Sequence, residues 1–163
     1  MALEIERKFL IEMPDLKWIV ENTECKIAYI VQTYLGKNES GFGNRVRRMK
    51  VDNEVKYYHT AKKSVSGITR IEIEKEISKA EYERFLERKS KVISLKKTRY
   101  IVKGNGIKYE IDIYPFWKTT AIMEVELKNE KQKFDIPDFI KIIGEVTNNM
   151  DYTNQSLAKK YGV

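Results

Sequence analysis

The chain has almost none of the residues that build covalent or soft-metal frameworks. Cys25 is the only cysteine in 163 residues, which excludes a disulfide framework and a cysteine zinc site. His59 is the only histidine. A multi-histidine metal centre is therefore excluded, and magnesium or manganese on carboxylates is the chemically sensible metal. His59 also falls on the apolar-facing parity of its strand, where a packing role is expected. No apolar run is long enough to span a bilayer and no secretory leader pattern opens the chain. A cytoplasmic protein with no membrane association is the expectation. What is present is an apolar fraction of 42% and ten tyrosines, the composition of a folded globule. The length suits one domain spanning 1–163 with a core of its own. A net charge of +7 suggests an anionic partner, although a lysine-rich solubilising surface gives the same total.

The charges follow a pattern. In Leu3-Glu4-Ile5-Glu6-Arg7-Lys8-Phe9-Leu10, the two-residue repeat of a strand puts Glu4, Glu6 and Lys8 on one face and Leu3, Ile5 and Phe9 on the other. Two carboxylates and an ammonium side by side conflict unless a divalent metal and a polyanion lie between them. The alternation recurs. Arg45 and Arg47 flank Val46, and Tyr58, Thr60 and Lys62 alternate with His59 and Ala61. Arg70, Glu72, Glu74 and Glu76 alternate with Ile71, Ile73 and Lys75, Lys97 and Arg99 follow, and Glu110 and Asp112 sit among Tyr109, Ile111 and Ile113. Glu124, Glu126 and Lys128 alternate with Val125 and Leu127. A solvated sheet face explains alternation. It does not explain why cations gather on some strands and carboxylates on others, which points to a charged interior.

Candidate strands are 3–12, 26–36, 43–51, 54–63, 68–77, 95–103, 106–114 and 120–129. Asp52-Asn53 and Asn105-Gly106 are hairpin signals, and Pro115 ends the seventh strand. Ser78-Lys79-Ala80-Glu81 is a capping-box pattern ahead of Tyr82, Phe85 and Leu86. A second helix is expected after Asp135, with Phe139, Ile142 and Ile143 on one face and Gly144 as its stop. A third is expected from Thr153 to about Lys160. This predicts an α+β protein: an eight-stranded antiparallel closed barrel with helices packed outside and at one mouth. Its interior would carry Lys8, Arg45, Arg47, Lys62, Lys97 and Arg99 against Glu4, Glu6, Glu72, Glu74, Glu76, Glu110, Asp112, Glu124 and Glu126. Arginines two apart on a strand are about 7 Å apart, close to the span of neighbouring phosphoryl groups. Like charges about 4 Å apart repel by about 4 kcal/mol at an effective dielectric of about 20, so such an interior must hold water, metal and ligand.

Glu4-Ile5-Glu6-Arg7-Lys8 resembles the ExExK signature of the CYTH superfamily, the triphosphate tunnel metalloenzymes. Gln32-Thr33-Tyr34-Leu35, Arg45-Val46-Arg47, Thr60-Ala61-Lys62, Arg70 to Glu76, Lys97-Thr98-Arg99, Glu110-Ile111-Asp112 and Glu124-Val125-Glu126 follow in the family's order. The resemblance covers nearly the whole chain. It implies a tunnel that binds a triphosphate with Mg²⁺ or Mn²⁺, the metal on Glu4, Glu6, Glu124 and Glu126. Lys8, Arg45, Arg47, Lys62, Lys97 and Arg99 would hold the phosphates, with Lys8, Glu6 and Glu126 catalytic and Glu110 and Asp112 supporting. Glu72, Glu74 and Glu76 would orient Arg45 and Arg47 rather than ligate metal. Lys96 adjoins Lys97, so a one-residue register shift would exchange the inward lysine. Residues 151–160 resemble the segment that closes one mouth.

The expected activity is hydrolysis of inorganic tripolyphosphate to phosphate and pyrophosphate. No evident aromatic box for a base appears, since Tyr29, Tyr34, Tyr58 and Tyr109 read as packing residues. The alternatives are an adenylyl cyclase of the class IV type, a thiamine or nucleoside triphosphatase, and, from another class, a non-catalytic binder of polyphosphate or RNA. Interleaved carboxylates oppose the last, so no specific nucleic-acid partner is expected. The anticipated partner is a small anionic triphosphate, and the protein would be a monomer or homodimer.

Overall fold

Two tight turns set the register of the sheet. Asp52 and Asn53 adopt φ of 50° and 65°, and Asn105 and Gly106 adopt 53° and 73°. Positive φ at both central residues is the turn that matches the twist of a hairpin. The computed structural model describes residues 2–88 and 92–163. Among them the chain forms β1 (Ala2–Glu12), α1 (Leu16–Asn22), β2 (Glu24–Lys37), β3 (Gly43–Val51), β4 (Glu54–Ser66) and β5 (Thr69–Ile77). Then come α2 (Lys79–Glu87), β6 (Ile93–Gly104), β7 (Ile107–Ile113), β8 (Thr120–Glu126), β9 (Ile142–Glu145) and α3 (Asn154–Tyr161). The antiparallel order is β5-β4-β3-β2-β6-β7-β8-β1, and Ala2–Ile5 of β1 pairs with β5 to close an eight-stranded barrel. No described helix is long and apolar enough to cross a membrane.

The expected helix after Asp135 is not there. Residues 137–140 turn, with Ile140 N–H donating to the Pro137 carbonyl, and β9 follows. The cause is tertiary. β5 leaves β1 after Ile5, so the same edge of β1 is open from Phe9 onward, and Ile142 and Gly144 pair with Ile11 and Leu10 there. Filling an open strand edge outweighs a short helical stripe. Phe139 instead packs on Trp18 at 5.3 Å between ring centroids. The short helix α1, which no sequence periodicity announced, is capped by Asp15 and buries Ile19.

The apolar faces of β1 and β6–β8 point outward and are covered by α1 and the segment around Phe134 to Ile140, burying Ile11, Ile111, Met123 and Val125. Helix α2 has the expected capping box on Ser78 and Glu81, and it covers Val46 and Ile77 with Tyr82. His59 stacks on Phe85 of that helix. Inside the barrel the strand faces change character along their length. Leu95 precedes Lys97 and Arg99, Tyr114 follows Glu110 and Asp112, and Ile122 precedes Glu124 and Glu126. At that end Leu157 and Ala158 of α3 insert among Leu95, Tyr114 and Ile122. The barrel is therefore a charged tunnel with an apolar cap at one end.

Candidate active site

Strand pairing places the charges before any side chain is considered. Glu6 lies opposite Glu126 and Lys8 opposite Glu124 across β1 and β8. Glu110 lies opposite Glu124 across β7 and β8, so one wall of the tunnel is acidic. Cross-strand neighbours have Cβ atoms about 5 Å apart, which forces these carboxylates to share one environment. The Glu6 carboxyl is pushed up to about 8 by burial, then by the negative charges of Glu124 and Glu4. Burial and Glu124 also push Glu110 up to about 7, against the pull of Arg99. Glu124 goes the other way. Lys8 and Arg99 overcome the effect of its burial and hold it well below the ordinary carboxylate range.

The cations stand around the rest of the circumference. Lys97 is 4% exposed and donates to Asp112 at 2.8 Å, whereas Lys96 is exposed. The β2–β6 register, with Lys97 opposite Ile30, thus turns Lys97 inward. Arg99 grips Asp112 at 2.7 and 2.9 Å and reaches Glu110 at 2.8 Å. Against burial, Arg99 and Lys97 hold Asp112 below its ordinary range. Asp112 is thereby a counterion, committed to two cations. Lys62 donates to Glu4 at 2.9 Å and lies 3.7 Å from Glu72. Arg47 donates to Glu74 at 3.0 Å and lies over the Tyr58 ring. Among the described residues no carboxylate forms an ion pair with Arg45.

Three of the expected placements are altered, the first being Glu72, which lies 3.7 Å from Lys62 and pairs with neither Arg45 nor Arg47 among the described residues. Glu74 orients Arg47, but Glu76 is 57% exposed and pairs with Lys56 at 3.6 Å at the rim, so it holds neither arginine. Glu126 is 45% exposed at the mouth, near Lys108. The sequence reading missed an uncharged layer. Gln32 and Tyr34 line the tunnel beside Arg47 and Arg45, and Thr60 donates to Glu74. From the cap, Asn154 accepts from Tyr114 at 2.5 Å and from Lys97 at 3.5 Å, while the Tyr152 carbonyl accepts from Lys8 at 3.4 Å. Gln32 and Tyr34 share the parity of Ile30, a signal that a search for charge alone passes over. Of the tyrosines read as packing residues, Tyr34 and Tyr58 face the tunnel, Tyr109 donates to the Asp135 carbonyl, and Tyr29 is exposed.

The donor set fits a hard divalent cation. Glu4, Glu6, Glu124 and Glu126 offer only oxygen, and burial, with the neighbouring charges of Glu124 and Glu4 behind it, raises Glu6. Among the described residues no three acidic, histidine or cysteine side chains form a ready-made cage. Glu4 and Glu124 are instead turned onto Lys62 and Lys8.

The sequence profile of the CYTH domain matches residues 2–161. The chain belongs to the CYTH family. It is 31% identical over 160 residues to the inorganic triphosphatase of Acetivibrio thermocellus, covering 98% of this chain and 95% of that protein. Among solved structures, the inorganic triphosphatase NE1496 is 28% identical with a TM-score of 0.57, over 97% of this chain and 95% of that one. The PH1819 protein of Pyrococcus horikoshii OT3, 20% identical with a TM-score of 0.60 over 78% and 80% of the two chains, is alike in fold. The CYTH barrel accounts for the segregated charge: closing the sheet turns every acidic and basic stripe toward one axis.

Proposed function

We propose that this chain, acting as one tunnel domain over 1–163, hydrolyses inorganic tripolyphosphate to phosphate and pyrophosphate with Mg²⁺ or Mn²⁺. The observation that carries the reading is the make-up of the tunnel. Seven inward cations (Lys8, Arg45, Arg47, Lys62, Arg70, Lys97 and Arg99) face seven inward carboxylates (Glu4, Glu6, Glu72, Glu74, Glu110, Asp112 and Glu124), with Glu76 and Glu126 at the rims, so the interior has no large positive excess of its own. An anion as charged as a triphosphate enters such a space only with a cation of its own. Similarity to the Acetivibrio thermocellus inorganic triphosphatase over nearly the full chain supports the same substrate.

Glu4, Glu6, Glu124 and Glu126 would hold the metal, which when bound neutralises phosphate oxygens and the charge of the leaving group. The protein's own residues do the rest. Arg45 is free of carboxylates and Arg47 is held by one, so both present guanidinium donors to phosphate oxygens. Lys97 and Arg99, fixed by Asp112, set a rigid, charge-paired floor near the cap. Lys8 sits between Glu124 and the Tyr152 carbonyl, where its ammonium can follow charge that develops on the pyrophosphate oxygen. The apolar cap excludes water from one end, which strengthens each of these interactions.

Phosphate release from tripolyphosphate, measured with Mg²⁺ or Mn²⁺ and again with a chelator, tests the reading. Turnover that stops with chelator and returns with excess metal is expected. Turnover that continues in chelator would contradict it.

A further inference from the structure

Three buried side-chain atoms among the described residues have no hydrogen-bond partner, and all three lie on β2 and β3: Gln32 Oε1, Arg45 Nε and Arg47 Nε. Buried polar groups in folded proteins are nearly always paired, so each orphan points to something it is built to meet. In the hydrolysis proposed above, the two guanidinium donors would meet phosphate oxygens. The orphaned acceptor cannot, because an ionised phosphate oxygen has no proton to give. Gln32 is 0% exposed and lies directly opposite Arg47 in the β2–β3 register. Its Nε2 donates to the Tyr34 hydroxyl at 2.6 Å, and Tyr34 is packed into the apolar cap. The carboxamide is thus anchored through its nitrogen, with its oxygen left for a ligand beside the two arginines.

An acceptor placed next to an anion that arginines hold requires an O–H donor. In the hydrolysis proposed above, the O–H donor that must stand against the terminal phosphoryl group is the attacking water. We infer that Gln32 positions this water: Oε1 accepts one O–H and leaves a lone pair directed at phosphorus. The inference rests on the hydrolytic reading. As the water oxygen bonds to phosphorus, the anhydride P–O bond breaks and its electron pair stays on pyrophosphate. One water hydrogen remains on the new phosphate and the other ends on pyrophosphate. Gln32 orients and takes no proton.

Steady-state kinetics with tripolyphosphate test this. Gln32→Leu removes the acceptor and should lower kcat by about 30-fold or more while KM stays within about threefold, the split expected when only a transition-state contact is lost. The variant should keep the rise in Tm that tripolyphosphate gives, since the phosphate contacts remain. Gln32→Glu keeps an acceptor but adds charge beside Arg45 and Arg47, so its KM should rise while kcat stays within about tenfold of wild type. Thr33→Val, on the same strand but the opposite face, should match wild type. Should Gln32→Leu not fold, Gln32→Asn withdraws the oxygen by one methylene and should show the same fall in kcat. Unchanged kcat in Gln32→Leu or Gln32→Asn, or a loss in KM alone, would overturn the role of Gln32. A wild type that does not hydrolyse tripolyphosphate would refute the hydrolytic reading itself.

Discussion

Glu6 works against the stability of the fold that holds it. Its carboxyl is pushed from 4.5 up to about 8, so between those values the folded protein keeps a proton that the unfolded chain has released. Stability from this proton is complete below about pH 4.5 and is lost as pH rises through 8. Glu110, raised to about 7, adds in the same direction. Metal-free protein should therefore melt at a lower temperature at pH 8.5 than at pH 5.5. Glu6→Gln should flatten that dependence and raise stability at pH 8 by on the order of 1–2 kcal/mol, while turnover falls by orders of magnitude. Thermal melts in chelator at the two pH values check the first part and phosphate release checks the second. A Glu6→Gln protein that is less stable and still active would contradict both. Parity gives a second test at this scale. Arg47→Ala should cut kcat/KM by about a hundredfold, and its outward neighbour Arg48→Ala by less than about threefold. Lys97→Ala and Lys96→Ala should divide in the same way.

At the scale of elements, what was legible in the sequence is what local chemistry decides. The hairpins at Asp52-Asn53 and Asn105-Gly106, the capping box at Ser78 and the eight barrel strands all announce themselves through turn residues, a side-chain cap or two-residue alternation. β9 does not, because it forms only where the departure of β5 opens the edge of β1. The same limit applies within the site. Inward charges could be read from parity, but Asn154 and Tyr152 reach Lys97 and Lys8 from a segment that only docking brings near. That docking depends on Gly162, where an added Cβ would lie 2.3 Å from the Ala158 carbonyl oxygen and 2.6 Å from that of Ser94. Backbone atoms cannot yield to such an overlap. Gly162→Ala should detach the end of α3, lower stability by about 2 kcal/mol, and raise KM for the triphosphate as the cap loosens. Denaturant midpoints and steady-state kinetics on one preparation measure both effects.

For the whole molecule, the distribution of charge matters more than its sum. The chain carries +7, yet its interior holds as many carboxylates as cations, so the positive surplus lies on the outer surface. Outer charge can draw anions toward the protein. Admission to the tunnel is a separate matter, which the proposed function assigns to a metal, to Arg45, Arg47, Lys62, Lys97, Arg99 and Lys8, and to an end closed with apolar side chains. On the function proposed above, the cations that face the axis take phosphate and the carboxylates take metal or hold those cations. A cyclase must also seat base and ribose so that the 3′-hydroxyl meets the α-phosphorus. The decisive measurement is therefore initial rates for tripolyphosphate and ATP under the same Mg²⁺ concentration, with phosphate, pyrophosphate and cyclic AMP all quantified. A kcat/KM for tripolyphosphate about tenfold or more above that for ATP, equivalent to about 1.4 kcal/mol in the transition state, is predicted, with no cyclic AMP from ATP. Cyclic AMP formed in step with pyrophosphate from ATP would contradict it.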